Sequence, residues 1–305
     1  MSLFSNFTKT ENSPSAKFPF TSRFQEVFGS KMHYVDEGET GSKHTFLLLH
    51  GNPTYSYLWR NIIPYLSDYG RVIAPDLIGM GKSDNPDIDY TFRDHIEYMD
   101  EFIAKLKLDK IILVIQDWGS GIGFHYANRF RDQVSGIVFF EAIIRPITWS
   151  DANLIERFIF KRFRHPQKGY KMIVKNNFFV ERFLPMMAGR KLTKEEMDWY
   201  RAPYINEKDR KPLRVWPTQI PINGDPKFST RVIQSYYEYL PNSELPKLMF
   251  HGRPGMIIKK KEAKGIINTW KNLEDIYLGK GKHYIQEQYP SEIGTGIAEW
   301  YERNF

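Results

Sequence analysis

Apolar and polar positions alternate from Arg23 to Phe28 and again from Lys31 to Asp36, about Gly29-Ser30, which predicts a hairpin at a sheet edge. Thr45 to Leu49 reads instead as a continuous apolar run, the mark of a strand buried on both faces, and it stops at His50-Gly51-Asn52-Pro53. The period then switches repeatedly. Tyr57 to Leu66 predicts a helix, Arg71 to Pro75 a strand closing on Asp76, and Phe92 to Leu106 an amphipathic helix after a Gly79-Met80-Gly81 loop. Ile111 to Ile115 predicts a strand, Gly121 to Asn128 a helix, and Ser135 to Phe140 a further strand ending at Glu141. Such alternation specifies an α/β fold, a mostly parallel central sheet flanked by helices.

The alternation breaks between about Arg145 and Leu245. There the chain is helical, aromatic and punctuated by Pro166, Pro185, Pro203, Pro212, Pro217, Pro221 and Pro226. Strand patterns resume at Lys247 to His251 and Leu273 to Leu278, with helices near Glu262 to Trp270 and Ser291 to Tyr301. The expected layout is a flexible leader over 1–18, a core formed by 19–144 and 246–305, and an inserted helical cap over 145–245. No internal repeat or low-complexity segment interrupts it.

Composition narrows the class. At 305 residues, 41% hydrophobic and 26% charged, the chain is expected to be a soluble globular protein, and its 15% aromatic content suits a large core or an apolar pocket. Lys plus Arg number 43 against 36 Asp plus Glu, but the basic residues are dispersed. The densest run, Lys259-Lys260-Lys261, reads as a solvated helix start, so no nucleic-acid partner is expected. The absence of cysteine rules out disulfides and thiolate metal sites and fits a reducing, cytoplasmic setting. No stretch approaches the ~20 apolar residues of a membrane span, and residues 1–18 lack the apolar centre of a signal peptide.

Residues 114–123, Val-Ile-Gln-Asp-Trp-Gly-Ser-Gly-Ile-Gly, have the pattern of a strand, a sharp turn and a helix, with Asp117 at the apex where a nucleophile elbow carries its reactive group. A carboxylate there would attack an electrophilic carbon and form an ester that water must cleave, which points to alkyl transfer. Parallel sheets present functional groups at the carboxyl ends of their strands. Asn52, Asp117 with Trp118, Glu141 and His283 all occupy such ends, and the order nucleophile, acid, histidine is that of an α/β-hydrolase. His283, one of eight histidines, lies among glycines after the last strand and would act as general base. Glu141 would orient it, because the position after strand Lys247 to His251 offers His-Gly-Arg-Pro-Gly and no carboxylate. A helix cap or an ion pair with Arg145 is the structural alternative for Glu141. Asn52 and Trp118 supply amide and indole N–H donors suited to a departing halide, and their backbone N–H groups could form an oxyanion hole. Turn formation before proline and simple packing are the respective alternatives.

The Asp-Trp elbow, His50-Gly51-Asn52-Pro53-Thr54 after strand three, and Asp76-Leu77-Ile78-Gly79-Met80-Gly81-Lys82-Ser83 together resemble the haloalkane dehalogenases of the α/β-hydrolase superfamily. The resemblance runs from about residue 20 to the end. It includes the segments Asn177 to Glu181, Leu192-Thr193 with Glu196-Met197, Trp216-Pro217, Ile220-Pro221 and His283 to Glu287. It implies an α/β-hydrolase fold with an inserted cap, Asp117 as nucleophile, His283 as base, Glu141 as acid, and Asn52 with Trp118 as halide binders. Phe179, Pro217, Ile257 and Ile285 would form pocket wall. The implied reaction converts a small haloalkane and water to alcohol, halide and a proton, with no metal or organic cofactor, in a monomer or weak oligomer. Gln116 departs from the histidine more usual before the nucleophile. It is expected to face away from Asp117 along the strand and to tune the surroundings. The segment Ser150 to Lys171 matches least. A coelenterazine-oxidising luciferase is similar over the same motifs. Epoxide hydrolases share the Asp nucleophile but need acidic groups, for which Tyr170, Tyr200 and Tyr204 are available.

Overall fold

The computed structural model describes residues 14–305. Among them the apolar runs and alternating segments form one eight-stranded sheet, in the order β1-β2-β4-β3-β5-β6-β7-β8. The strands are β1 Arg23–Val27, β2 Ser30–Glu37, β3 Thr45–Leu49, β4 Arg71–Pro75, β5 Ile111–Gln116, β6 Val134–Ala142, β7 Lys247–Pro254 and β8 Leu273–Gly281. The pairings β1–β2 and β2–β4 are antiparallel, and all the others are parallel. Every residue of β3 and β5 is buried, which is why both read as unbroken apolar runs.

Topology places the site. From β3 the chain crosses to β4 on one side, whereas β5 lies on the other, with Leu49 opposite Ile115. The carboxyl ends of β3 and β5 therefore flank the crevice expected where strand order reverses. The residues after Leu49 are brought beside those after Ile115, although more than sixty positions separate them in sequence.

Two local expectations change. The helix expected over Tyr57 to Leu66 forms as a buried 3₁₀ turn, Ser56–Trp59, and a single helical turn, Ile63–Leu66. Pro64 sits in the first turn of the latter, where its missing N–H is tolerated but from which it cannot extend a helix backwards. The helix after the elbow begins at Asp117, not Gly121, and runs to Arg129.

Between β6 and β7 the chain is helical, with longer helices at Leu154–Arg164, Lys194–Arg201, Lys211–Gln219 and Lys227–Tyr239. A buried ion cluster fastens this insertion to the core. Arg60, 3% exposed, donates to both carboxylate oxygens of Glu287, at 2.6 and 2.9 Å, and to Glu196 at 2.9 Å. Arg190 bonds the same two carboxylates from the other side. Glu196 meanwhile closes the capping box of its own helix with Thr193. Two guanidiniums against two carboxylates leave no unpaired charge, and losing one member of such a buried set costs about 3–5 kcal/mol.

Of the flexible leader expected over 1–18, residues 1–13 lie outside the described residues. The rest is tied to the core: Tyr57 donates to the Ala16 carbonyl at 2.7 Å, Arg60 to that of Ser15 at 2.7 Å, and the Phe18 ring packs on Tyr57 and Trp199. No helix among the described residues is long and apolar enough to cross a membrane.

Candidate active site

Asp117 leaves β5 with φ of 49°, in the left-handed region that a side chain occupies only when its surroundings compel it. Those surroundings are visible. Ser120 Oγ donates to the Asp117 carbonyl and accepts from the Ile143 N–H beyond β6, fastening the turn to the neighbouring strand's end. Gly119 packs so closely on β3 that a Cβ there would lie 2.2 Å from the Leu49 carbonyl oxygen. The resulting elbow aims the carboxylate across to β3, where Asp117 Oδ1 accepts from the Asn52 backbone N–H at 2.9 Å. Gly51 makes room for it.

His283 lies just beyond β8 and is 1% exposed. Its Nε2 is 3.3 Å from Asp117 Oδ2 and its Nδ1 is 3.2 Å from Glu141 Oε2, so one imidazole bridges the two carboxylates. Burial pushes the imidazole down, but hydrogen bonds and charge from Asp117 and Glu141 outweigh it and raise its pKa to about 9.

Glu141 also has a positive φ, 45°. Its Oε2 accepts from the backbone N–H groups of Met256 at 3.0 Å and Ile257 at 2.8 Å. The loop after β7, which carries no carboxylate, thus holds the one supplied by β6. Gly255, at φ of 66°, is part of that loop, and a Cβ on it would crowd the Ile258 carbonyl oxygen at 2.4 Å. The alternative partner Arg145 pairs with Asp151 and Glu262 instead.

Asn52 and Trp118 are 7% and 2% exposed. The Asn52 carbonyl is anchored by the Tyr284 hydroxyl at 2.8 Å, directly after His283 in the chain. Trp118 stacks on Trp216 of the insertion, with ring centroids 4.6 Å apart at 25°, and Trp216 stacks in turn on His95 at 4.2 Å. The resemblance singled out Trp216-Pro217, but not the stacking of Trp216 on Trp118, because partners from distant segments share no local pattern.

Gln116 is placed otherwise than expected. Strand alternation ends at the elbow, and the Gln116 side chain lies against His283, with its amide nitrogen 3.1 Å from Nε2. Of the expected wall residues, Phe179 is buried in a π-helical turn and packs against Phe163 and Phe183. The Phe183 ring stands 6.1 Å from that of His283. Pro217 is buried beside Trp216 inside its helix. Ile285 is buried two residues after His283, and half-buried Ile257 contributes the backbone N–H already described. Of the three cap tyrosines, Tyr170 is 46% exposed and Tyr200 donates to Glu287. Tyr204 is fully buried with its hydroxyl beside the Gly81 backbone. A surface depression of about 420 Å³, lined by Lys194, Glu195, Asp198, Trp199 and Ala202, includes none of these groups.

Residues 44–290 match the family model described as the alpha/beta hydrolase fold. A haloalkane dehalogenase of Mesorhizobium japonicum is 43% identical over 277 residues, 90% of this chain and 89% of that protein. One from Sphingobium indicum is 41% identical over 287 residues, 92% of this chain and 95% of that protein. The crystal structure of haloalkane dehalogenase DbeA from Bradyrhizobium elkani superposes with a TM-score of 0.90 at 41% identity, covering 93% of this chain and 98% of that one. With this likeness running through core and insertion alike, the chain belongs to the haloalkane dehalogenase family of the α/β-hydrolase fold.

Proposed function

We propose that this protein hydrolyses small haloalkanes to an alcohol, a halide and a proton through an ester on Asp117. The observation that carries the reading is the bridging imidazole: His283 Nε2 lies 3.3 Å from Asp117 Oδ2 while Nδ1 lies 3.2 Å from Glu141. A nucleophilic carboxylate within reach of a base, itself held by a second carboxylate, suits formation and cleavage of an alkyl ester.

In the first step Asp117 attacks the halogen-bearing carbon in line. A carbon–oxygen bond forms, the carbon–halogen bond breaks, and the electron pair leaves with the halide. Asn52 and Trp118 receive that ion. If each N–H supplies a charge-assisted bond of about 1.5–3 kcal/mol, the pair accelerates departure by roughly 10²–10⁴. In the second step His283 takes a proton from water as its oxygen attacks the Asp117 carbonyl carbon. The developing oxyanion suits the Asn52 backbone N–H, which already meets Oδ1 at 2.9 Å. Collapse expels the alkoxide, which receives the proton from the imidazolium, and the restored carboxylic acid loses its proton to solvent.

Residues 145–245 act as a cap that keeps this space dry, with Phe179, Pro217, Ile257 and Ile285 as its apolar wall. A monomer or weak oligomer in a cytoplasmic setting belongs to the same reading, the setting being in keeping with the lack of cysteine.

The test is bromide and proton release from 1-bromobutane and 1,2-dibromoethane. His283→Phe should then stop at the ester, giving one trapped alkyl adduct in intact-mass analysis. No halide from a broad panel of haloalkanes, or an adduct on any residue other than Asp117, sinks the reading.

A further inference from the structure

His283 Nε2 has two polar neighbours of opposite character. Asp117 Oδ2, 3.3 Å away, only accepts while it is ionised, whereas the Gln116 amide nitrogen, 3.1 Å away, only donates. Gln116 is wholly buried, and a second contact fixes which way its amide faces: the nitrogen also donates to the backbone carbonyl of His283 at 3.3 Å. Turned over, the amide would set its oxygen against that carbonyl, acceptor to acceptor. Among the described residues Gln116 Oε1 is buried without a hydrogen-bond partner, so the amide is oriented by what its nitrogen meets. Across the ring Nδ1 faces Glu141, an acceptor.

We propose that Gln116 is a positioning residue that selects the state of His283 required for ester hydrolysis, neutral, with its hydrogen on Nδ1 and its lone pair on Nε2. In the resting site the Asp117 carboxylate favours a proton on Nε2. Alkylation removes that charge, the proton on Nε2 leaves to solvent, and the remaining fixed neighbour is a donor that stabilises the lone pair. The lone pair then takes the proton of the attacking water. The other groups facing the ring are Glu141, the Tyr284 ring at 4.6 Å, whose hydroxyl is tied to Asn52, and the Phe183 ring. Asp117 and Glu141 are the charged ones, so the change of charge at Asp117 is what hands control of Nε2 to Gln116.

The inference rests on Asp117 being the nucleophile, so one arm of its test needs no turnover. In Asp117→Asn the uncharged amide stands for the ester, and His283 is titrated by ¹⁵N-resolved NMR with and without Gln116→Met. The expected result is the Nδ1–H tautomer in Asp117→Asn, and an upward shift of the His283 titration by roughly half to one pH unit when the donor is removed. Gln116→Glu, nearly isosteric and an acceptor, shifts it further the same way and serves if the methionine variant does not fold. In the second arm, single-turnover decay of the alkyl-enzyme is followed against pH. Gln116→Met should slow it about 3–10-fold on the acidic limb and converge with the parent on the alkaline side. An unshifted titration, or a loss uniform in pH, overturns the proposal. Absence of halide release from the parent enzyme would instead sink the proposed reaction, leaving the titration to decide the role of Gln116.

Discussion

The backbone N–H of Asn52 reaches Asp117 Oδ1 at 2.9 Å, joining the end of β3 to the elbow after β5 across 65 positions of sequence. This contact leaves Asp117 Oδ2 on the side of His283 and divides the carboxylate between an oxygen held by the β3 loop and one that faces the imidazole.

Gly51 is where the division is most easily broken. A Cβ there would stand 2.1 Å from Asp117 Oδ1 and 2.5 Å from the Asp117 Cβ, so Gly51→Ala must displace the Asp117 side chain or the loop. Stability should fall by about 1–3 kcal/mol and halide release by roughly 100-fold. Thermal melts beside bromide assays check this, and near-normal turnover would show that the loop gives way without cost.

Asn52→Ala and Trp118→Phe each remove one side-chain donor while leaving the Asn52 backbone contact. Trp118→Phe also preserves an aromatic face for Trp216. Each should slow the displacement step by roughly 10–150-fold, the value of a charge-assisted bond of about 1.5–3 kcal/mol. Rapid-quench measurement of the halide burst reports that step directly. A loss confined to ester hydrolysis would remove both from the leaving-group site.

Glu141→Gln can keep an oxygen where Oε2 accepts from the Met256 and Ile257 N–H groups and faces His283 Nδ1, but it removes the negative charge beside the imidazole. The burst of halide should survive, while steady-state turnover falls by about 10³–10⁴, as expected when an imidazole loses its orienting carboxylate. Equal losses in both phases would mean that Glu141 supports the fold alone.

His95 sets an acid limit on stability. Burial first, and the neighbouring His50 second, push its pKa down to about 3, and neither ring nitrogen has a hydrogen-bond partner among the described residues. The unfolded chain therefore binds a proton near pH 6.5 that the folded protein refuses, so stability is lost as pH falls below about 6, by up to about 1.4 kcal/mol per pH unit until His95 itself protonates. His95→Phe retains a ring against Trp216 and should flatten this limb in acid denaturation followed by circular dichroism, with little change at neutral pH. An unchanged acid midpoint would show that other groups govern it.

Local chemistry in the sequence determined the strands, the elbow and the candidate groups at the strand ends. Continuous burial leaves apolar runs at β3, β5 and β6, and a nucleophile turn needs small residues close by, so both leave marks within a few positions. The family motifs were legible for the same reason. Tertiary structure alone decided what those groups touch. Pro64 divided an expected helix, and the last described residues of the expected leader found partners on the core. The grip of Met256 and Ile257 on Glu141 is made by backbone N–H groups, which every residue but proline carries and which therefore leave no sequence signal. Trp216 reaches Trp118 from nearly a hundred positions away. Gln116 was assigned a direction by strand alternation, but the positive φ of Asp117 ends the strand there, and the loop after β8 brings His283 against it. A repeating backbone can be read from its period, whereas a contact between two places where the period ends depends on how the sheet closes the distance between them.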